Sequence, residues 1–266
     1  MHRAQKGLAA YPTLQKASDS PRPAFDFSPS NPLLRCTPRT MTTSSSPLGV
    51  VFDLDGVLID SHDQHEGAWF ALAEEIGKPM TKKLFKRSFG MRNEMCIPDV
   101  FQWTNDADEI ARLGDRKEEF YRELLASGGL EPLPGVLDLV ESLKQAGIPI
   151  SLGSSTSRKN IEVCFKSTGL DAYFGPYYTG SEDVTRGKPN PDVFLKAAEK
   201  IVREPGNCLV IEDAHVGIEA ALAAGMKAIA VTTTHPAETF SEAGMDLIVD
   251  SLTDVDADVI AGIISC

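Results

Sequence analysis

Two aspartates stand two residues apart directly after an apolar run in "VVFDLDGVLIDS", residues 50–61. Similar breaks recur: Ser154 and Ser155 follow "ISLG", Glu212 and Asp213 close "CLVIED", and Lys188 lies in "TRGKPNP" before a helical pattern. Carboxylates gathered in one cleft raise each other's pKa unless a cation lies among them. An all-oxygen donor set with a phosphate to share suits Mg²⁺, which takes one or two carboxylates and keeps waters. A lysine adds a point charge for an anionic phosphoryl group, and hydroxyls with backbone N–H groups at a helix start add donors. Such a set can run phosphoryl transfer, with one Asp as nucleophile toward phosphorus and a second as proton donor and then base.

Taken singly, each residue has an ordinary structural role. An Asp after a strand is commonly a turn residue, Ser154 to Ser157 could cap a helix beginning near Arg158, and Lys188 could be an exposed lysine in a Pro-rich turn. What ties them together is position. "LGVVF", "IPISLG", "CLVIE", "MKAIAV" and "DLIVD" read as short Val/Ile-rich strands bounded by Gly, Pro, Ser or Asp. Between them "GVLDLVESLKQAG", "SRKNIEVCFKSTG", "NPDVFLKAAEKI" and "GIEAALAAG" space their apolar residues as helices do. Alternating strands and helices predict an α/β fold, a Rossmann-like three-layer parallel sheet, in which ligands bind at the carboxyl ends of the strands.

One block breaks this rhythm. Residues 63–133 are helical in pattern, with Trp69, Leu72, Ala73 and Ile76 on one face and Ile110, Leu113, Lys117, Phe120 and Leu124 on another. A helical cap inserted after the first strand is expected, returning through "GLEPLPG". The expected division is a leader over 1–46, a catalytic core over 47–62 and 134–255, the cap over 63–133, and a tail over 256–266.

The chain has 266 residues, 42% hydrophobic and 24% charged, which describes a globular chain of one or two domains. A net charge of −12 argues against nucleic-acid binding driven by charge, and no apolar run approaches the roughly 18 residues of a membrane span. Five widely spaced cysteines without a C-x-x-C pair indicate neither a disulfide framework nor a zinc site, so a reducing compartment is the simpler reading. Charge is uneven: residues 1–47 carry six Lys/Arg against two Asp, about +4, leaving about −16 for the rest. That leader, with seven prolines and many hydroxyls, has the composition of a disordered segment. Being basic, acid-poor and hydroxyl-rich, it reads as an organelle transit peptide, against the alternatives of a plain tail or a start at Met41. The expected location is the chloroplast stroma if the leader is a transit peptide and otherwise the cytoplasm.

"FDLDGVLIDS", "SLGSST", "RGKPNPDVF" and "VIEDAHVGIEAALAAG" resemble the four ordered motifs of the haloacid dehalogenase superfamily, in the subgroup whose helical cap follows the first motif. The resemblance covers residues 48 to about 253 and implies a role for each matching residue. Asp53 would be the nucleophile and Asp55 the general acid/base, its carbonyl also binding Mg²⁺. Ser154 would hold the phosphoryl group and Lys188 would link it to the nucleophile. Asp213, with Glu212, would complete the metal site. Ser155 is expected to add a donor to substrate.

Within that superfamily the cap points two ways. "DSHDQHEGAWFALAEEIG" resembles the β-phosphoglucomutases, including His65 and Trp69, with Lys117 as a substrate-facing lysine. "SFGMRNEMCIPDVFQW" resembles the plant plastid phosphatases that act on 5-amino-6-(5-phosphoribitylamino)uracil, with Gly90 allowing close approach of a loop and Arg92 engaging a polar or anionic group. "GSEDVTRGKP" lacks the spacing of a nucleotide P-loop, and His62 with His65 has no third metal ligand at usable spacing. Three readings follow: a Mg²⁺-dependent phosphatase, a phosphosugar mutase, and a silent binding protein, which would be expected to have lost Asp53, Asp55 or Lys188. The expected partner is a small phosphorylated metabolite, with no nucleic acid, no membrane and a monomeric chain.

Overall fold

The runs "GVVF" and "CLVIE" bury every residue they contain, as strands covered on both faces must. The computed structural model describes residues 47–88, 91–128, 130–240 and 244–265; the expected leader lies outside them. Six parallel strands form one sheet: β1 (Gly49–Phe52), β2 (Ile150–Gly153), β3 (Tyr178–Thr179), β4 (Cys208–Glu212), β5 (Lys227–Val231) and β6 (Leu247–Val249). Their spatial order is β3-β2-β1-β4-β5-β6, which puts β1 between β2 and β4. Val50 pairs with Ile150 on one side and with Leu209 on the other. The order reverses at β1, so its carboxyl end faces the crevice where an open α/β sheet binds ligands.

The helices are α1 (His62–Ile76), α2 (Lys82–Ser88), α3 (Asn93–Met95), α4 (Ala107–Ala126), α5 (Val136–Gln145), α6 (Arg158–Thr168), α7 (Asp171–Phe174), α8 (Asp192–Lys200), α9 (His215–Ala223) and α10 (Ala257–Ser265). Alternation along the strands divides the core into two layers. Val50, Phe52, Leu209 and Ile211 pack with Leu139 and Leu143 of α5, Phe165 of α6 and Ile260 of α10. Val51, Val210, Ala228 and Ala230 face the other way, against Phe194 and Ala197 of α8 and Ala220 and Ala221 of α9. Burial of a side chain such as Phe52 stabilises the fold by about 1.5–3 kcal/mol, so the strand carrying Asp53 is firmly anchored.

Helices α1 to α4 follow β1 and build a cluster of their own around Trp69, Leu72, Ile97, Phe101, Trp103 and Leu113. Trp69 meets Phe101 edge-on at 4.7 Å, and α3 runs into a π-helical stretch, Cys96–Phe101. The two connections of this helical block run side by side, with Leu133 N donating to Leu58 O at 2.9 Å.

Three details differ from expectation. Helix α4 buries Leu113, Lys117, Tyr121 and Leu125, while Ile110, Phe120 and Leu124 are half-buried, so its inner face is turned toward Tyr121. Residues assigned to a tail form α10, whose Ala257 and Ile260 are buried in the core. The edge strand β3, only two residues long, had no expected counterpart.

Candidate active site

Asp53 is the first residue past β1, and its N–H still donates to Ile211 O of β4 at 3.0 Å, which fixes its backbone to the sheet. The chain then turns at Gly56, whose φ is +83° and where a Cβ would lie 2.0 Å from Asp213 Oδ2. Glycine alone allows both that backbone and that approach. Gly217, early in α9, makes similar room, since a Cβ there would meet Glu212 Oε1 at 1.7 Å. Ser154 is buried just past β2, its N–H donating to Thr179 O at 3.0 Å and its Oγ accepting from Thr156 N at 3.2 Å.

Lys188 reaches the rim from the loop before α8. Its ammonium donates to Asp53 Oδ1 and, at 2.7 Å, to Glu212 Oε1, and lies 4.6 Å from the centre of the Phe194 ring. Glu212 Oε2 accepts the N–H groups of Asp213 and Ala214, each at 2.6 Å. Thr234 Oγ1 donates to Asp213 Oδ2. Oxygens of Asp53, Glu212 and Asp213 all lie within 4.8 Å of one another.

Asp55 is held from the helical side. Ser61, the residue before α1, donates its hydroxyl to Asp55 Oδ1, and His65 Nε2 lies 3.3 Å from the same oxygen. The His65 ring stacks on Tyr121 at 4.0 Å, and Tyr121 Oη donates to Asp55 Oδ1 at 3.5 Å. Behind it Lys117 Nζ lies 2.9 Å from His65 Nδ1 and 2.9 Å from Glu118 Oε1.

The electrostatics follow from these contacts. Burial pushes the Asp53 carboxyl up to about 7, with Glu212 and Asp55 adding to the rise while Lys188 opposes it. Burial, then Glu212 and Asp53, raise Asp213 well above the carboxylate range. Burial works against the charge on Lys188, yet Asp53 and Glu212 outweigh it and hold its pKa above the ordinary value. For Asp55, burial is outweighed by His65 and Ser61, so its carboxyl lies below the usual range. With all three buried carboxylates ionised, one ammonium would leave two negative charges uncompensated, the deficit a divalent cation would fill. The donors are oxygens throughout, as Mg²⁺ requires.

Asp53, Asp55, His65, Lys117, Ser154, Ser155, Lys188, Glu212 and Asp213 thus line one cleft of about 590 Å³, its open mouth included. Arg92 does not line it: Nη2 donates to Ser181 O at 2.7 Å and Nη1 to Thr185 O at 3.4 Å, which ties α3 to the loop leading to Lys188. Gly90 lies outside the described residues. Trp69 is buried in the cluster of the helical block while also touching the cleft. The sequence reading passed over Ser61, Asn93, Glu118, Tyr121, Thr156 and Thr234. Ser61 is a lone hydroxyl before a helical pattern, and Glu118 hides in a charge run, "DRKEEF", that reads as a solvated face.

The parallel sheet and the acid-and-lysine rim at its switch point define a hydrolase of the haloacid dehalogenase type. The haloacid dehalogenase-like hydrolase model matches residues 48–225, and the chain belongs to that family. It is 37% identical over 192 residues to the chloroplastic 5-amino-6-(5-phospho-D-ribitylamino)uracil phosphatase of Arabidopsis thaliana, covering 71% of this chain and 51% of that protein. The chain therefore spans about half the length of that relative. It is 33% identical over 214 residues to the β-phosphoglucomutase of Bacillus subtilis, covering 77% of this chain and 90% of the mutase. Among solved structures, a family IA hydrolase from Entamoeba histolytica superposes with a TM-score of 0.76 at 26% identity, covering 82% of this chain and all of that one. Among the described residues, no helix is long and apolar enough to cross a membrane.

Proposed function

We propose that the protein is a Mg²⁺-dependent phosphatase that hydrolyses a small phosphorylated metabolite through an aspartyl-phosphate on Asp53. The substrate this reading favours is 5-amino-6-(5-phospho-D-ribitylamino)uracil, in keeping with the activity for which the Arabidopsis relative is named. The observation that carries the reading is the buried trio Asp53, Glu212 and Asp213 with Lys188 bonded to Asp53. Mg²⁺ would be held by Asp53, Asp213 and Glu212, with the Asp55 carbonyl, and would supply neutralisation of charge on the phosphoryl oxygens.

The residues divide the remaining work. Lys188 and the Ser154 hydroxyl, with Ser155 beside it, bind the phosphoryl oxygens and aim phosphorus at the Asp53 carboxylate. As the Asp53 oxygen bonds to phosphorus, the ester P–O bond breaks, and Asp55, which takes up a proton when the anionic phosphoryl group enters beside it, gives that proton to the departing alkoxide. Asp55 then takes a proton from the water that attacks the acyl phosphate, which releases phosphate and restores Asp53. Ser61, His65 and Tyr121 hold the Asp55 carboxyl in place between the two steps.

A second reading, a phosphosugar mutase, draws on the similarity over 90% of the Bacillus subtilis enzyme. Both readings are separated by a phosphate-release screen with Mg²⁺ over sugar phosphates, nucleotides, phosphoglycolate and the ribitylaminouracil phosphate. The expected result is release from a ribityl or sugar monoester, lost by about 10³-fold or more in Asp53→Asn. Activity that survives this substitution would sink the mechanism. Isomerisation of β-glucose 1-phosphate without phosphate release would favour the mutase. A plastid location is proposed with the ribitylaminouracil assignment, and a processed N-terminus read by mass spectrometry on protein from plastids would test it.

A further inference from the structure

One carboxylate lining the cleft has no part in the steps above. Glu118 on α4 lies three contacts from Asp55, through His65 and Lys117, and its side chain is 15% exposed. Its Oε1 accepts from Lys117 Nζ at 2.9 Å and from Asn93 Nδ2 at 2.7 Å, and its Oε2 accepts from Asn160 Nδ2 of α6. Asn160 Nδ2 also donates to Thr156 Oγ1 at 2.9 Å, in the loop after β2 that carries Ser154. Glu118 thus joins the helical block to the catalytic rim, and together with Asn93 and Thr156 it faces the same cleft as Asp53. Burial resists its ionisation, but Lys117, His65 and Asn93 hold its pKa at about 2, so it is charged at neutral pH.

The cations around it are already engaged. Lys117 is shared between Glu118 and His65, Lys188 between Asp53 and Glu212, and Arg92 between two backbone carbonyls; Arg122, which does not line the cleft, donates to Asn160 Oδ1 at 3.1 Å, and Arg158 pairs with Asp183. A second phosphate on the substrate would meet a buried carboxylate there and would have to draw Lys117 away from it. Neutral hydroxyl or amide groups meet no such conflict, since they can donate to Glu118 or to the Asn93 amide oxygen and accept from the Thr156 hydroxyl.

We infer that Glu118, with Asn93 and Thr156, forms a distal recognition site for an uncharged polyhydroxy or amide-bearing group, and that it selects monophosphates against bisphosphates. This rests on the phosphatase reading and deepens it. Transfer of a phosphoryl group from Asp53 to a sugar monophosphate would create a bisphosphate, the species this end of the cleft disfavours.

The test measures binding of ribitol 5-phosphate and ribitol 1,5-bisphosphate to the full-length Asp53→Asn protein with Mg²⁺ by calorimetry. The monophosphate is expected to bind at least tenfold more tightly, and adding Glu118→Gln should reduce that ratio at least fivefold. Equal or tighter binding of the bisphosphate, or binding of neither, would overturn the inference, and the parent Asp53→Asn comparison decides it even if Glu118→Gln does not fold. Phosphate release by the wild-type enzyme is read separately. Its absence with the binding preference intact would count against the phosphatase reading alone.

Discussion

On the sheet side of the cleft three buried carboxylates cluster about one lysine, which bonds two of them, whereas on the helical side Glu118 shares Lys117 with His65 and also accepts from two amides. The first group is short of positive charge, so Asp53 rises to about 7 and Asp213 well above its ordinary value. The second is balanced, and Glu118 falls to about 2. Burial opposes ionisation at both places, so the difference comes from partners. A site left short of charge is ready to take up a cation and a dianion together, while a site that is already satisfied discriminates by shape and hydrogen bonding. On the proposed function, the work of transfer and the work of choice are divided between the two walls.

Removing Lys188 should sharpen that contrast most. Lys188→Met is expected to lower kcat by about 10²–10³-fold, and to cost about 3 kcal/mol of stability by leaving Asp53 and Glu212 buried without their cation. Denaturant unfolding with and without Mg²⁺ would measure this; a variant as stable as wild type in the absence of metal would break the comparison.

The next effect concerns pH. Asp53 binds its proton more tightly in the fold than in the unfolded chain, where its value is 3.8. Between that value and about 7 the folded state holds the extra proton, so metal-free stability falls as pH rises through this window. Mg²⁺ competes with those protons. The gap in Tm between Mg²⁺ and chelator should therefore widen by several degrees from pH 5.5 to 8, and a constant gap would refute the charge deficit. Glu118 has the opposite sign. Its pKa is lowered from 4.5 to about 2, so its contribution is present above 4.5 and lost as pH falls toward 2. Glu118→Gln should remove about 1–2 kcal/mol of the acid sensitivity between pH 5 and 2.5, read from denaturant midpoints.

The smallest expected change is at Tyr121. Its hydroxyl reaches Asp55 at 3.5 Å, a long contact, while its ring stacks on His65. Tyr121→Phe keeps the ring and should alter kcat by less than about threefold, whereas a loss of tenfold or more would move Tyr121 into the proton path.

The sheet side was legible in the sequence because acids, serines and a lysine interrupt apolar runs, and strand ends in a parallel sheet must converge. The helical side was not. Asn160 contributes through a contact 42 residues away with Glu118, and no local pattern announces such a pair. On α4 the apolar spacing admitted two neighbouring faces, and the buried one carries Tyr121 rather than Phe120 because Tyr121 can stack on His65 and reach Asp55. Helix α10 did carry a signal, since Ala257 and Ile260 lie three apart on the face that packs into the core, but its shortness disguised it. The strand β3 is two residues long and defined by its pairing with β2 alone.

The central position of β1 also governs how the site comes into being. Val50 finds its partners at Ile150 and Leu209, so the strand that carries Asp53 must wait for segments a hundred and more residues downstream. The helical block between them closes through far more local contacts, α1 against α4, and contacts close in sequence form sooner than distant ones. Pulse-labelled hydrogen exchange during refolding should find amides of α1 and α4 protected before those of β1. In the life of the molecule, the wall that recognises is expected to form before the wall that reacts.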